Sequence, residues 1–131
     1  MTSTYVGSRA PKLGGARFLT GEAEYLDALR LPGTVHLAVV RSTEAHARIA
    51  AIETGAAASA PGVLDVLTGE QAARLAGPIP QMIDPVPFGG RAADVRCLAL
   101  GKVVYAGEPV AAVVAETEAD AAAAAALVEV E

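Results

Sequence analysis

The sequence feature that most constrains the fold is a run of alanines at residues 121–126, close to the end of the chain. Alanine has the highest intrinsic helix propensity of the amino acids. Thr117 stands where a helix N-cap is expected, and Asp120 follows at the capping-box position. Glu118 adds negative charge in the first turn, where the helix dipole favours it. We therefore predict a helix whose small side chains let it approach a sheet closely.

The composition extends this prediction to the whole core. Aromatic residues make up 4% of the 131 residues, tryptophan is absent, and alanine is the commonest residue. The core must then consist mainly of Val, Ile, Leu and Ala, without large aromatic anchors. The chain length fits one globular domain.

Alternation of apolar residues and turn signals predicts the strands. Residues 34–42 have apolar side chains on both faces, which is typical of a strand covered on both sides. Residues 103–115 predict a hairpin that turns near Gly107-Glu108, with Pro109 as the first residue of the second strand. Gly107→Val is expected to destabilise the fold on the condition that Gly107 has positive φ. The last residues, 128–131, alternate like the start of an edge strand, with Leu127 and Val128 inside. The predicted strands are 34–42, 47–54, 63–67, 103–105 and 109–115.

Two shorter helices and a long loop complete the expected elements. Residues 56–60 predict a short helix that Pro61-Gly62 ends. Thr68 and Gln71 have capping-box spacing before a helix at 71–76. Residues 77–96 combine prolines with few periodic apolar residues and predict a surface loop, which at this length is usually functional or packed on a partner. Residues 1–16 predict an extended leader, and residues 17–33 an irregular segment with one helical or extended turn.

Charge and motifs exclude several classes of function. The net charge of −5 and the pI near 5.0 argue against a nucleic-acid surface. The G-x-G-x-x-G fingerprint is absent, and Gly101-Lys102 is followed by Val103 where a P-loop needs Ser or Thr. The sequence has neither a signal-peptide pattern nor an apolar stretch long enough to span a membrane. The single cysteine, Cys97, favours a reducing compartment, so we expect a cytoplasmic protein.

The residues that could carry chemistry have simpler explanations. His36 and His46 lack metal-ligand spacing, so His36 is interpreted as a hydrogen-bonded core residue and His46 as a residue that organises Arg41 or Glu44. Ser42 lies near His46, but the G-x-S-x-G motif of hydrolases is absent. Cys97 lies among apolar residues, where a thiol is usually inert packing.

Two groups of carboxylates are candidates for acid–base chemistry, which paired acids can carry out. Capping of the last helix explains Glu116, Glu118 and Asp120. A solvated loop explains the other group, which is Glu22, Glu24 and Asp27. We therefore predict no catalytic, cofactor-binding or metal-binding residue in this chain.

Three segments resemble a known family. They are RFLTGEAEYLDALRLPGTVHLAVVRSTEAHARI, APGVLDVLTGE and LALGKVVYAGEPVAAVVAETEADAAAAAALVEVE. In this order they resemble the α/β-hammerhead domain of the large subunit of molybdenum hydroxylases, a family that includes xanthine dehydrogenase, aldehyde oxidoreductase and carbon monoxide dehydrogenase. Residues 16–21 are most similar to the carbon monoxide dehydrogenase branch. Two departures affect fine packing: Leu26-Asp27-Ala28 follows Tyr25 where two acids are common, and Thr43-Glu44 replaces Pro-His.

The resemblance implies an α+β fold, with a mixed sheet, short helices and the Ala-rich C-terminal helix, over residues 17–131. It implies that the molybdopterin-type cofactor and the catalytic glutamate belong to longer downstream domains, whose motifs do not occur here. The partners implied are those domains and an iron–sulfur subunit, with flavin and iron–sulfur centres in the full enzyme. Arg41, His46 and Arg48 are then structural or interface residues, and ordinary polar strand ends explain them equally well.

Two functions follow. The first is a non-catalytic amino-terminal domain of a molybdenum-dependent oxidoreductase acting on aldehydes, CO, purines or N-heterocycles, present as a fragment or separate piece. The alternative is a free-standing interaction module that keeps the hammerhead fold without redox activity. Neither reading assigns an enzymatic residue to this chain, and we expect the isolated chain to self-associate.

Overall fold

One buried strand organises residues 34–131. This strand, β6 (Pro109–Ala115), pairs antiparallel on one side with β1 (His36–Arg41) and on the other with β4 (Val63–Thr68), so the sheet order is β1-β6-β4. Its Val and Ala side chains are almost all buried. These bounds confirm the strand predicted at residues 109–115.

The computed structural model describes Gly7 and residues 13–131. Contacts divide the chain into two units, residues 1–33 and residues 34–131. The predicted leader at 1–16 falls largely outside the described residues, but α1 (Gly15–Leu19) begins before its predicted end. In the first unit, a 3-10 turn at Leu26–Ala28 follows α1, and the rings of Phe18 and Tyr25 lie 6.3 Å apart.

Short helices cover the sheet of the second unit. They are α2 (Gly55–Ala58), α3 (Gly69–Leu75) and α4 (Glu118–Ala125). Gln71 Oε1 accepts a hydrogen bond from the Thr68 backbone N–H at 2.8 Å, and Thr117 Oγ1 accepts one from the Asp120 N–H at 3.1 Å. The predicted capping box of α3, the Thr117 cap of α4 and the Ala-rich last helix are confirmed. Asp120 does not complete a capping box, because its carboxylate accepts from the Thr117 hydroxyl instead of the Thr117 backbone N–H.

Among the described residues, the buried core consists of alanine and valine side chains together with Leu98. Ala57, Val66, Val113 and Ala124 form one buried cluster between the sheet and the helices. Val110 and Val113 are the largest side chains that are fully buried among the described residues. The expected core without aromatic anchors is confirmed, and it follows that the larger apolar side chains lie elsewhere.

Two short two-stranded ribbons complete the fold. β2 (Ala47–Arg48) pairs with β5 (Lys102–Val103), and β3 (Ile52–Glu53) pairs with β7 (Glu129–Val130). The single strand predicted at 47–54 is therefore wrong: it divides because its two ends bond to different segments, with the Ile49 N–H donating to Gly101 O at 3.0 Å and the Ala50 N–H to Glu131 O at 2.7 Å.

The predicted hairpin over 103–115 is also wrong. The strand before the turn pairs with β2 rather than with β6, because both edges of β6 are already taken by β1 and β4. The turn itself is where the sequence places it, and Gly107 has a positive φ of 88°, so the condition set for the Gly107→Val prediction is met. The Gly107 N–H donates to Ser42 O at 2.8 Å, and the Ser42 N–H to Glu108 O at 2.9 Å, which fix the turn to the end of β1.

Three further details correct the prediction, although the α+β fold is confirmed. All strand pairs of the described residues are antiparallel, so the sheet is not mixed. β1 and β4 run in the same direction, but they do not pair with each other because β6 lies between them. One face of β1 is partly open, with Leu37 58% exposed. Val128 packs on the core as predicted, whereas Leu127 is exposed because it lies in the turn between α4 and β7.

Candidate interface surface

The carboxylates weighed for acid–base chemistry occupy solvent or helix caps. Glu22, Glu24 and Asp27 are exposed in the first unit. Asp120 lies at the capped start of α4, with Glu118 in the same turn. In the described part of the chain, no group of three or more His, Cys, Asp or Glu side chains could hold a metal ion.

The segment after β1 is held by backbone contacts rather than by His46. Arg41 Nη1 donates to Gly107 O at 2.9 Å. Ser42 Oγ donates to Glu44 O and accepts from the Glu44 N–H, both at 3.0 Å. The predicted role of His46 in organising Arg41 or Glu44 is therefore wrong, because Arg41 bonds to the turn at Gly107 and Glu44 bonds to Ser42. His46 instead lies exposed beside Arg48 and Lys102.

Two other residues differ from their predicted surroundings. Cys97 is exposed rather than packed, because the next two residues, Leu98 and Ala99, take the buried positions. His36 is only partly buried at the start of β1, opposite Ala115, and is not part of the core clusters. In the described part of the chain, neither side chain belongs to a group that could hold a metal ion.

The loop over residues 77–96, termed the apolar loop, is closed by its own hydrogen bonds. At its base, the Ile79 N–H donates to Val95 O at 2.7 Å, and Gln81 Nε2 donates to Ala93 O at 3.1 Å. At its tip, the Gly90 N–H donates to Pro85 O at 3.0 Å, around a 3-10 turn at Val86–Phe88. The predicted loop is confirmed, and these bonds give it a defined shape.

The apolar loop presents large apolar side chains to solvent. Met82 is fully exposed and Phe88 is 83% exposed, with Ile83 also largely exposed. Leu75, at the end of α3, is exposed just before the loop begins. Single exposed apolar residues are common on protein surfaces, but several large ones in one loop are typical of an interaction site. Sequence reasoning found the loop but not this surface, although Met82-Ile83 and Phe88 among prolines were the available signal.

The first unit shows the same property independently. Its large apolar side chains are exposed rather than buried within that unit; they are Leu13, Phe18, Leu19, Tyr25, Leu26, Leu29 and Leu31. No helix of the described residues has both the length and the apolar character needed to cross a membrane.

Comparison with known proteins gives one consistent result. The family described as "Aldehyde oxidase and xanthine dehydrogenase, a/b hammerhead domain" matches residues 20–131. The chain is 38% identical over 121 residues to the nicotine 6-hydroxylase large subunit of Paenarthrobacter nicotinovorans, which covers 92% of this chain and 15% of that protein.

Solved structures agree with the sequence match. Quinoline 2-oxidoreductase from Pseudomonas putida 86 has a TM-score of 0.79 and 38% identity, covering 88% of this chain and 14% of that one. A Cu,Mo-CO dehydrogenase has a TM-score of 0.74 and 34% identity, covering 95% of this chain and 15% of that one. The chain thus spans about one seventh of the length of these relatives.

Proposed function

We propose that this chain, which belongs to the aldehyde oxidase and xanthine dehydrogenase a/b hammerhead family, serves as a non-catalytic structural and interface domain of a molybdenum-cofactor oxidoreductase. The reaction class is oxidation of an aldehyde, CO, a purine or an N-heterocycle, in keeping with the relatives. The observation that carries the proposal is the apolar loop, whose large side chains are exposed while the buried core of the described residues consists of Val, Ala and Leu98.

The cofactor belongs to other parts of such an enzyme in this proposal. The described residues do not fit a metal site, because no three of their His, Cys, Asp and Glu side chains lie close enough together to hold a metal ion. The chain would then contribute shape and apolar contact, and the domains that complete the large subunit, together with an iron–sulfur subunit, would contribute the redox groups.

The energetics favour docking within one polypeptide. Burying Met82, Ile83 and Phe88 contributes about 1.5–3 kcal/mol for each side chain. Free association of separate proteins costs about 4–15 kcal/mol in lost translational and rotational freedom, a range that includes the whole contribution of the three side chains. Covalent linkage reduces that cost because it raises the effective concentration of the second surface. The loop is therefore suited to an intramolecular contact.

The first test is substitution of the loop in the complete large subunit. Met82→Ser with Phe88→Ser should lower the yield of assembled, cofactor-loaded enzyme, measured by size-exclusion chromatography and metal analysis. Leu64→Ser is the matched control, because Leu64 is an exposed apolar residue on β4 outside the loop. Equal yields for the loop variant and the control would contradict the proposal.

The reading frame beyond codon 131 separates the proposal from the free-standing module. Continuation into a long glycine-rich cofactor domain supports the proposal. A stop codon followed by an unrelated gene supports the free-standing module and contradicts the proposal.

A further inference from the structure

The β2–β5 ribbon carries an unfavourable pair of charges. Arg48 and Lys102 are direct cross-strand partners. Directly opposed side chains on an antiparallel pair point to the same face, with Cβ atoms about 4.5–5.5 Å apart, and like charges in this arrangement are destabilising. The ribbon has only two residues in each strand, so this pair is a large part of it.

No ion pair of the described residues neutralises this pair. The salt bridge found there joins Arg96 to Asp94, at 3.0 Å. The side chains of Arg48 and Lys102 are both exposed and form neither hydrogen bonds nor ion pairs with described residues. Glu44 and Glu131 line a neighbouring depression together with Arg48 but form no ion pair with it. The two cations thus lie side by side without an ion-pair partner.

The pair lies in a shallow depression that also contains His46. The depression has a volume of about 290 Å³ and is lined by His46, Ala47, Arg48 and Lys102. It forms a local cationic surface, termed the basic ribbon, on a chain whose net charge is −5. Complementary charge governs which partner approaches such a surface and in which orientation.

We propose that the basic ribbon is a docking site for an acidic segment of a partner polypeptide. Adjacent carboxylates on an extended segment can each face one of the two cations, whereas a small anion in so open a depression keeps its hydration. Val104 and Tyr105, which follow Lys102-Val103, are exposed and offer apolar contact beside the charges. This proposal does not depend on the apolar loop.

The experiment uses the full chain and a fluorescein-labelled hexaglutamate peptide, with binding measured by fluorescence anisotropy. Arg48→Gln with Lys102→Gln should weaken binding about three- to tenfold, as expected for two solvent-exposed ion pairs. Added salt should weaken binding to the unsubstituted chain. Arg74→Gln with Arg91→Gln is the matched control, because it removes the same charge from two exposed arginines elsewhere, and its binding should not change.

The melting temperature of the variant shows whether weaker binding comes from loss of the site or from loss of the fold. The Arg48→Gln, Lys102→Gln variant should melt at the same temperature as the unsubstituted chain or higher, because the substitution relieves repulsion. Met82→Ser with Phe88→Ser should leave peptide binding unchanged, which distinguishes failure of this proposal from failure of the interface function.

Four results would overturn the proposal. The peptide does not bind, or both double variants weaken it equally, which indicates nonspecific attraction. Inorganic phosphate displaces the labelled peptide at the same concentration as unlabelled hexaglutamate does, which indicates a simple anion site. Finally, the chain forms dimers that are lost both in the basic-ribbon variant and in Glu53→Gln with Glu129→Gln, a pair opposed on the β3–β7 ribbon, which indicates that the occupant is a second copy of this chain.

Discussion

Substitution of Gly69 by alanine tests the closest backbone packing in the core. Gly69 is buried at the first position of α3, and a Cβ there would overlap the carbonyl oxygen of Ala99 and lie 2.8 Å from its carbonyl carbon. Ala99 has little freedom to retreat, because it is 4% exposed and its N–H donates to Pro109 O at 2.7 Å. The substitution therefore forces α3 away from the segment that leads into β5.

The magnitude follows from two opposing effects. Alanine in place of glycine in a helix favours folding by at most about 1 kcal/mol. Overpacking of a filled site costs about 1–3 kcal/mol, and the atom met here is backbone rather than the end of a flexible side chain. Because the obstacle is backbone, the cost lies in the upper part of that range, and the helix gain reduces it by up to about 1 kcal/mol. We therefore expect Gly69→Ala to lower the free energy of unfolding by about 1–2 kcal/mol, which corresponds to a fall in Tm of roughly 3–10 °C.

Urea unfolding followed by far-UV circular dichroism measures this change. Gly55→Ala is the matched control, because Gly55 also begins a helix, α2, while its added Cβ would meet nothing within 4 Å. That variant should be unchanged or more stable by up to about 1 kcal/mol. If Gly69→Ala unfolds at the same urea concentration as the unsubstituted chain, the packing argument for the contact between α3 and Ala99 is refuted.

Three further predictions concern caps, turns and association. Thr117→Ala should lower stability by about 1 kcal/mol in the same unfolding assay, whereas Thr54→Ala should change little, because Thr54 stands at the N-cap of α2 without a side-chain cap bond; equal losses would contradict the capping account. Gly107→Val should cost about 1–3 kcal/mol through its positive φ alone, since its Cβ meets open space, and Gly107→Asn should cost less; Tm values that do not differ would remove this reasoning. The isolated chain should form dimers or larger species in light scattering that grow with concentration and added salt, because its exposed apolar side chains outweigh a screened net charge of −5; a monomer at all salt concentrations would contradict this.

Local signals predicted the elements whose causes are local. The Thr117 cap, the alanine run and the Thr68–Gln71 box act within a few residues, and α3 and α4 are found where they indicate. The apolar content of 109–115 likewise predicted β6 at its observed bounds. These elements follow from propensity and capping, so a single sequence is sufficient for them.

Strand pairing could not be predicted in the same way, because it depends on which edges are already occupied. A glycine turn before Pro109 is typical of a hairpin, yet β1 and β4 arrive from distant parts of the chain and take both edges of β6. The division of 47–54 has the same origin, since β2 and β3 bond to separate segments. Such competition between distant segments leaves no local pattern.

The candidate surfaces were predicted only in part. The apolar loop was located by its prolines and glycines, but its sequence did not show that Met82 and Phe88 point outward. In the basic ribbon, the resemblance implied His46 and Arg48 as structural or interface residues, but Lys102 was missed. Arg48 and Lys102 are far apart in sequence and become neighbours only through the β2–β5 register. The exposure of Cys97 depended likewise on which side of the chain faced the core.

The most direct test of the proposed interface is whether the apolar loop is covered in the complete large subunit. Hydroxyl-radical footprinting with mass spectrometry measures this at Met82, whose thioether oxidises readily when exposed and which is fully exposed in this chain. We predict that Met82 and Phe88 react at least about tenfold more slowly in the complete subunit than in the isolated chain, because burial excludes the radical from large apolar side chains that are docked, while Leu64 on β4 reacts equally in both. Equal oxidation of Met82 in the two forms would contradict the interface function.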